Sequence, residues 1–382
     1  MNKEKKTVII SLSAFVAIIV IGFVYAQFFL FSHQLPEADD KLMLSDTVKE
    51  TIQENVNNGK YQSLFVGIID GDDVNYYYYG NTAKDGNPID ENTIFEIGSI
   101  TKVFTALLLA DLVEKGELNL DAPIEQFLPE YVATPSKNGK NITLLDLATH
   151  TSGLPVFPDD FPFPDDFSIP DSDAMYEYER EEMYDFLSNV EISREIGSRY
   201  EYSNIGMALL GHIISLQAGQ PYEELVKERI LDKLGMKSTC IKQCDKLRDN
   251  FAKPHDPFGS QTGELNLSED MVGGGEIRSS GKDMLIFLSY TMGLKESSLK
   301  NSFELTQTSN HKIDHKSSVG LAWHITQDDG RKVISHGGVT NGFSSFVGFD
   351  SDSKEGVVVL TNNSHVPVSE IGLEILESGV EE

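Results

Sequence analysis

Ser99 and Lys102 are the first candidates for chemistry, because they lie three residues apart in the stretch Phe-Glu-Ile-Gly-Ser-Ile-Thr-Lys at residues 95–102. Residues 100–113 are apolar on nearly every side, rich in Leu and Ala, and followed by a Lys-Gly pair, which predicts a buried helix. Side chains at this spacing share one face of the first helical turn. A lysine among apolar neighbours loses solvation, so its pKa falls and the neutral amine can take a proton from a hydroxyl. The pattern therefore predicts Ser99 as a nucleophile and Lys102 as part of its activating base.

The spacing alone is weak, since four other Ser-x-x-Lys pairs occur in polar, turn-like stretches of the chain. A serine–lysine pair also needs a group that orients the base and donors for an oxyanion. Tyr202 and Asn204 directly precede a second apolar helix at residues 207–214. A phenol beside a cationic lysine is expected to titrate lower than usual and to relay protons, and an amide can hold both a lysine and a substrate carbonyl.

A third candidate stretch, residues 334–343, contains His336, Gly337, Gly338 and Val339. Small residues after a strand let a substrate lie against the backbone and leave N–H groups free to donate. By itself the stretch is an ordinary Gly-rich turn. A lone histidine in such a place is more often structural than chemical.

The elements around these stretches predict an α+β protein. Residues 63–69 and 74–79 form a predicted hairpin, and residues 319–326, 332–335, 343–349 and 357–361 are strand-like runs separated by turn signals. Residues 44–59 and 368–376 have helical patterns, and the middle of the chain is mainly helical. We expect an antiparallel sheet built from both ends of the chain, flanked by N- and C-terminal helices, with a large helical insertion. The predicted domain spans residues 37–382, with an α/β part at 37–97 and 315–382 and a helical part at 98–314.

The N-terminal residues 1–36 are expected to be a cytoplasmic stub, a membrane anchor and a linker. The first six residues are basic, and residues 7–31 carry no charge. Residues 8–31 could cross a bilayer as one helix, with the body of the protein outside the cytoplasm. The alternative is a signal peptide cleaved after Val24-Tyr25-Ala26, but the apolar run continues beyond that point and favours an uncleaved anchor.

Composition excludes some functions and leaves others open. The chain has 382 residues and a formal net charge of −29, which argues against nucleic-acid binding and adhesion to anionic lipid.

Cys240 and Cys244 are the only cysteines, and they form either a local disulfide or two unlinked thiols. A zinc site is not expected, because no further cysteine or closely spaced histidine accompanies them. The chain also lacks Gly-x-Ser-x-Gly and His-Glu-x-x-His.

Residues 155–185 carry repeated Asp, Pro and Phe, and this proline density is expected to prevent regular helix or sheet. We expect an extended acidic surface loop there. The alternative is a lid whose aromatic side chains cover the site, because long loops in compact domains are often functional.

Taken in order, the three stretches resemble the family of serine hydrolases that contains class C β-lactamases, low-molecular-weight penicillin-binding proteins, D-amino-acid peptidases and related esterases. The resemblance spans about residues 64–363 and includes Thr-His-Thr-Ser-Gly-Leu at 149–154 and Gly-Gly-Gly at 273–275. It implies a β-lactamase/transpeptidase-like fold and no cofactor or metal.

The resemblance also implies roles for individual residues. Ser99 is the acylated nucleophile, Lys102 and Tyr202 are the general base and proton relay, and Asn204 helps bind the substrate amide. The stretch His336, Gly337 and Gly338 matches the third family motif and binds substrate, and the backbone N–H groups of Ser99 and Val339 form the oxyanion hole.

Histidine at position 336 departs from class C β-lactamases, which carry lysine there, whereas peptidase and esterase members of the family use histidine. We expect His336 to be mostly neutral at pH 7 and protonated near pH 6, where it would help to bind carboxylates. The chain is therefore predicted to be an extracytoplasmic acyl-hydrolase of the carboxypeptidase or esterase type. The alternatives are a class C-type β-lactamase and a non-catalytic binding protein. Its expected partners are a small-molecule or peptide substrate and the membrane, with no nucleic acid and no obligate protein.

Overall fold

The larger sheet combines strands from both ends of the chain. The computed structural model describes residues 44, 48–50, 52, 62–162, 174–328, 330–364 and 366–378. The strands in these ranges are β1 (Ser63–Asp70), β2 (Asp73–Gly80), β3 (Ile94–Glu96), β4 (Ser136–Lys137), β5 (Lys140–Asn141), β6 (Ala174–Tyr176), β7 (Thr239–Cys240), β8 (Leu265–Leu267), β9 (Arg278–Ser280), β10 (His311–Lys312), β11 (Ser317–Val319), β12 (His324–Asp328), β13 (Arg331–Val339), β14 (Ser344–Asp350) and β15 (Glu355–Thr361). The α-helices are α1 (Thr101–Glu114), α2 (Leu144–Ala148), α3 (Arg180–Asn189), α4 (Asn204–Ala218), α5 (Tyr222–Val226), α6 (Asp232–Leu234), α7 (Gly281–Thr291), α8 (Lys300–Thr306) and α9 (Val368–Ser378).

In this part of the chain the larger sheet has eight antiparallel strands in the order β10-β11-β12-β13-β14-β15-β1-β2. Strand β1 pairs with its hairpin partner β2 on one side and with β15, from the far end of the chain, on the other. Leu64 of β1 lies opposite Thr361 of β15. The predicted α+β architecture, with a sheet built from both ends, is confirmed.

Strand β1 packs against two hydrophobic cores because successive side chains of a strand point to opposite faces. Leu64, Val66 and Ile68 belong to a cluster with Ile371 and Ile375 of α9. Phe65 and Ile69 belong to the larger cluster that contains α1 and α7. A strand buried on both faces is apolar at nearly every position, which explains the near-continuous run that the sequence shows at 64–69.

Helix α1 lies inside the larger core. All of its residues from Thr101 to Leu112 are buried, as the apolar run predicted. Phe104 stacks on Phe287 of α7 with ring centroids 4.3 Å apart. A 3₁₀ turn, Gly98–Ile100, leads directly into α1, so Ser99 precedes the helix while Lys102 lies within its first turn.

Strand β13 differs from the prediction because it continues beyond Ser335 through His336, Gly337 and Gly338. The residues that we interpreted as a turn after a strand are therefore inside the strand. A Cβ atom on Gly338 would lie 2.1 Å from the carbonyl oxygen of Ile97, so the neighbouring backbone comes too close for any side chain. Glycine here marks a backbone contact within the strand and not its end.

The segment 155–185 contains regular structure after its last proline, Pro170. Strand β6 and the start of α3 lie there, so the expectation that proline would exclude helix and sheet is wrong for this half. The density of proline is confined to residues 155–170, and residues 163–173 lie outside the described ranges.

Two further expectations concern the cysteines and the N-terminus. Cys240 and Cys244 form a disulfide with their Cα atoms 5.5 Å apart, which selects one of the two alternatives. Among the described residues, no helix combines the length and the apolar character needed to cross a membrane. Residues 8–31, the predicted anchor, lie outside those residues, as does most of the predicted helix at 44–59.

Candidate active site

Ser99 and Lys102 are in direct contact. The Nζ atom of Lys102 lies 3.1 Å from the Oγ atom of Ser99, and the lysine side chain is fully buried. Burial disfavours the ammonium form and lowers the pKa of Lys102 to about 7. The amine is therefore partly neutral near pH 7 and is placed to accept the hydroxyl proton of Ser99.

The backbone of Gly274 provides the second contact of the lysine. Lys102 Nζ donates to the carbonyl oxygen of Gly274 at 2.5 Å, and Thr105, one turn later on α1, donates to the carbonyl of Gly273 at 2.7 Å. These carbonyls belong to the 3₁₀ turn Val272–Gly274, which packs on α4. The Gly-Gly-Gly run at 273–275 resembles the family pattern, but nothing in the sequence indicated that one of its carbonyls fixes the lysine.

The 3₁₀ turn that carries Ser99 packs backbone to backbone against the end of β13. Gly98 has a left-handed φ of 50°, and a Cβ atom there would lie 2.9 Å from the nitrogen of Val339. A Cβ atom on Gly338 would likewise lie 2.9 Å from the nitrogen of Ser99. Glycine at both positions therefore brings the backbone nitrogens of Ser99 and Val339 close together.

The N–H group of Val339 is free to face the site. Thr340 N donates to Phe343 O at 2.9 Å, so residues 340 and 343 form a hydrogen-bonded pair one position beyond the ends of β13 and β14, in the same register. Hydrogen-bonded and non-hydrogen-bonded pairs alternate along an antiparallel ladder, so Val339 and Ser344 form a non-hydrogen-bonded pair. The Val339 N–H group consequently points away from β14, as an oxyanion donor requires.

Tyr202 lies over the lysine, with Lys102 Nζ 5.0 Å from the centroid of its ring. Burial raises the pKa of Tyr202, and hydrogen bonding with Ser99 only partly opposes this rise. The expectation that a neighbouring cation would lower the pKa of this phenol is wrong, because the phenol is desolvated and Lys102, with a pKa of about 7, is neutral at the higher pH where a phenol ionises. Tyr202 is therefore a neutral phenol that can donate a hydrogen bond.

Asn204 begins α4 and lines the same cavity as Ser99. In the described part of the chain its side chain makes no hydrogen bond to Lys102, whose partners are Ser99 and Gly274. The expectation that the amide holds the lysine is therefore not met in this structure. The amide faces the cavity, where a substrate carbonyl or amide would lie.

His336 is buried beside Tyr202, with ring centroids 6.5 Å apart, and does not line the cavity. Its side chain is buried in β13, its Nδ1 atom is 2.7 Å from Gly337 O, and its ring lies 5.3 Å from that of His324. Burial, together with His324 and Lys102, holds the pKa of His336 well below its usual value. The expectation that it becomes a cation near pH 6 is wrong. Gly337 and Gly338, in contrast, line a small hollow next to Ser99.

The main cavity beside Ser99 has a volume of about 410 Å³. Its polar side contains Asn204, Thr340 and Asn341. Its apolar side contains Leu265, Leu267 and Met271, which the sequence did not assign to the site. It also contains Phe157 and Phe161, in agreement with the alternative that aromatic side chains of residues 155–185 cover the site. These two phenylalanines belong to the Asp/Pro/Phe-rich segment, so that segment contributes aromatic side chains to the cavity and is more than an acidic surface loop.

The chain matches the profile of the Beta-lactamase family over residues 48–377. It belongs to this family. A β-lactamase of Pseudomonas fluorescens is 27% identical over 84% of this chain and 94% of its own length. The D-alanyl-D-alanine-carboxypeptidase/endopeptidase AmpH of Escherichia coli K12 is 26% identical over 78% of each chain.

Solved structures agree with this family assignment. A class C β-lactamase from Rhodobacter sphaeroides superposes with a TM-score of 0.75 at 25% identity and covers 87% of this chain and 99% of its own. The protein is thus a serine hydrolase with the β-lactamase fold. Among the described residues, no group of three or more His, Cys, Asp or Glu side chains could hold a metal ion.

Proposed function

We propose that the protein hydrolyses acyl substrates through an acyl-enzyme on Ser99. The observation that carries this proposal is the 3.1 Å contact between Ser99 Oγ and the fully buried Lys102 Nζ. A buried amine with a pKa near 7 meets the requirement for a general base close to the working pH.

Acylation begins when the neutral amine of Lys102 accepts the hydroxyl proton of Ser99 and Oγ attacks the acyl carbon. The developing oxyanion accepts hydrogen bonds from the N–H groups of Ser99 and Val339. When the tetrahedral intermediate collapses, the bond to the leaving group breaks. The proton held by Lys102 passes to the leaving oxygen or nitrogen, with the Tyr202 hydroxyl as relay.

Deacylation uses the same groups with water as nucleophile. Lys102 takes a proton from the water, whose oxygen attacks the acyl carbon. The ester bond to Ser99 then breaks and Oγ recovers its proton, which releases a carboxylic acid. Asn204, on the polar side of the cavity, holds the carbonyl or amide of the acyl group.

The substrate is proposed to be either a peptide of the D-alanyl type or an ester. The names of the Escherichia coli relative and of the Pseudomonas fluorescens relative support the peptide and a β-lactam, respectively. A neutral, buried His336 removes the cation expected for carboxylate recognition and favours the ester. A binding protein without turnover is disfavoured by the intact contact between serine and lysine.

Covalent labelling tests the assignment of the nucleophile. A fluorophosphonate probe should label the wild-type protein and fail to label Ser99→Ala. The matched control is Ser309→Ala, which removes an exposed serine with the same spacing to Lys312. It should label normally. Equal labelling of Ser99→Ala and the wild type would exclude Ser99 as the nucleophile.

We also propose that residues 8–31 anchor the domain of residues 37–382 to the cell membrane, with the active site outside the cytoplasm. The uncharged run behind a basic N-terminus supports this location. The full-length protein should remain in the membrane fraction in high salt and be released by detergent. A soluble mature form that begins near Gln27 would show a cleaved signal peptide.

A further inference from the structure

One side of the cavity beside Ser99 is formed by apolar side chains. Phe157 and Phe161 pack together with ring centroids 4.7 Å apart, and Leu265, Leu267 and Met271 complete this apolar wall. The cavity volume of about 410 Å³ lies in the range of small-molecule sites. The wall is therefore large enough to cover an acyl group bound to Ser99.

The leucines of the wall are held in place by two buried carboxylates. Glu96 Oε1 accepts from the N–H of Leu265 at 2.8 Å, and Glu276 Oε2 accepts from the N–H of Leu267 at 3.0 Å. Arg278 lies between them, 3.5 Å from each carboxylate. Side chains two residues apart in a strand share one face, so fixing β8 in this way presents both leucines to the cavity.

The wall offers no partner for a negative charge. No lysine or arginine lines the cavity in the described residues, and the sequence has none between 141 and 179, where both phenylalanines lie. His336 is not a lining residue. A carboxylate placed against this wall would lose water and gain no cation, which is unfavourable.

A second, smaller hollow of about 230 Å³ also contains Ser99, and its lining includes Ser344, Ser345 and the partly exposed Ser369. The leaving group must reach solvent as soon as acylation is complete, whereas the acyl group stays on Ser99 until water attacks. The smaller, more polar hollow therefore suits the leaving alcohol, and the larger cavity suits the acyl chain.

We propose that the cavity selects uncharged, apolar acyl groups, so that the preferred substrates are neutral esters with short or medium acyl chains. This specificity rests on the proposed acyl transfer to Ser99. The acyl carbon–oxygen bond of the ester breaks, the alcohol leaves with the proton from Lys102, and water releases the fatty or aryl acid.

The first experiment varies the acyl chain at a constant leaving group. The kcat/KM of the wild-type protein is measured for p-nitrophenyl acetate, butyrate and hexanoate. Burial of one methylene group is equivalent to about a fourfold change, so the rise from acetate to butyrate should be roughly tenfold. The p-nitrophenyl monoester of succinic acid, in which a carboxylate replaces the terminal methyl group of the butyryl chain, should be at least roughly tenfold slower than the butyrate.

Two results would overturn the proposal: a flat or falling chain-length series, or a succinate ester that is hydrolysed as fast as the butyrate. These results are distinct from failure of the proposed function. A protein that is labelled at Ser99 but has a flat series lacks only the specificity. A protein without labelling or turnover lacks the chemistry.

The second experiment changes the charge of the wall. Leu267→Lys should raise the succinate-to-butyrate ratio of kcat/KM at least roughly tenfold, because the new cation pairs with the carboxylate. The matched control is Leu216→Lys, at an exposed leucine of α4 outside this cavity, and should leave the ratio unchanged. Fluorophosphonate labelling confirms that each variant is folded. An unchanged ratio in a labelled Leu267→Lys protein would show that the acyl group binds outside this wall. If the variant does not fold, the chain-length series of the wild-type protein decides the proposal.

Discussion

The pH dependence of acylation tests the central feature of the site, which is the desolvated lysine. Burial lowers the pKa of Lys102 to about 7. An exposed lysine has a pKa near 10.4, so at pH 7 only about one in 3,000 such amines is neutral, compared with about half for Lys102. Burial thus increases the fraction of competent base by a factor on the order of 1,000.

The assay is the second-order rate of fluorophosphonate labelling, which reports attack by the Ser99 hydroxyl without a deacylation step. Because only the neutral amine accepts a proton, the rate should fall about tenfold per pH unit well below pH 7 and level off above about pH 8. Burial holds the pKa values of His150, His324 and His336 below their usual values. These histidines should therefore not produce a second inflection near pH 6.5 in the plot of labelling rate against pH.

Lys102→Ala is the companion variant. Its labelling rate should fall by roughly two to four orders of magnitude, and the residual rate should show no inflection near pH 7 when it is plotted against pH. An inflection near pH 10 in the wild-type profile would show that the lysine is solvated when the enzyme acts. An inflection that persists near pH 7 in Lys102→Ala would show that another group titrates there.

Three more outcomes follow from the contacts described above. Gly273→Ala should slow labelling and lower the melting temperature, since its Cβ atom would lie 3.0 Å from a Cα atom of α4, whereas the Cβ atom of the control Gly275→Ala would meet no atom within 4 Å. Arg278→Met should destabilise the protein by about 3–5 kcal/mol in urea unfolding, because buried Glu96 loses its cation while Glu276 keeps Lys242 at 2.6 Å. Arg248→Met should cost less, because this arginine is half exposed and its partner Glu264 keeps Lys253 at 3.6 Å. The preference between carboxylated and neutral esters should be the same at pH 6 and pH 8, and a selective gain for carboxylates at pH 6 would show that His336 does ionise.

The sequence predicted the elements whose patterns are local. Helix α1 and the β1–β2 hairpin lie within one or two residues of their predicted bounds, because an all-apolar run and an Asp-Gly turn constrain the chain without help from distant residues. The contact of Ser99 with Lys102 was predictable for the same reason, since spacing within one helical turn determines it.

The contacts between distant segments were not predictable in this way. The carbonyl of Gly274 that holds Lys102 lies 172 residues further along the chain. A glycine run can serve many structural roles, so the sequence did not indicate this contact. The apolar wall combines side chains from two separate loops and one short strand. The Asp/Pro/Phe-rich pattern indicated its two phenylalanines, but no pattern indicated Leu265, Leu267 or Met271. Burial also determined the direction of the pKa shift for Tyr202, where a rule about neighbouring charges gave the wrong sign.

The chemistry of the site depends on the position of α1 within the fold. Ser-x-x-Lys pairs occur elsewhere in the chain, but the pair at Ser99 opens a helix whose side chains are buried to Leu112. Such a helix needs a core on all sides, which the sheet supplies on one side and α4 with the 3₁₀ turn of Gly274 on the other. The same packing that stabilises α1 removes water from Lys102 and so produces the base. Changes that let water reach Lys102 should therefore reduce activity at neutral pH even where every catalytic side chain is retained.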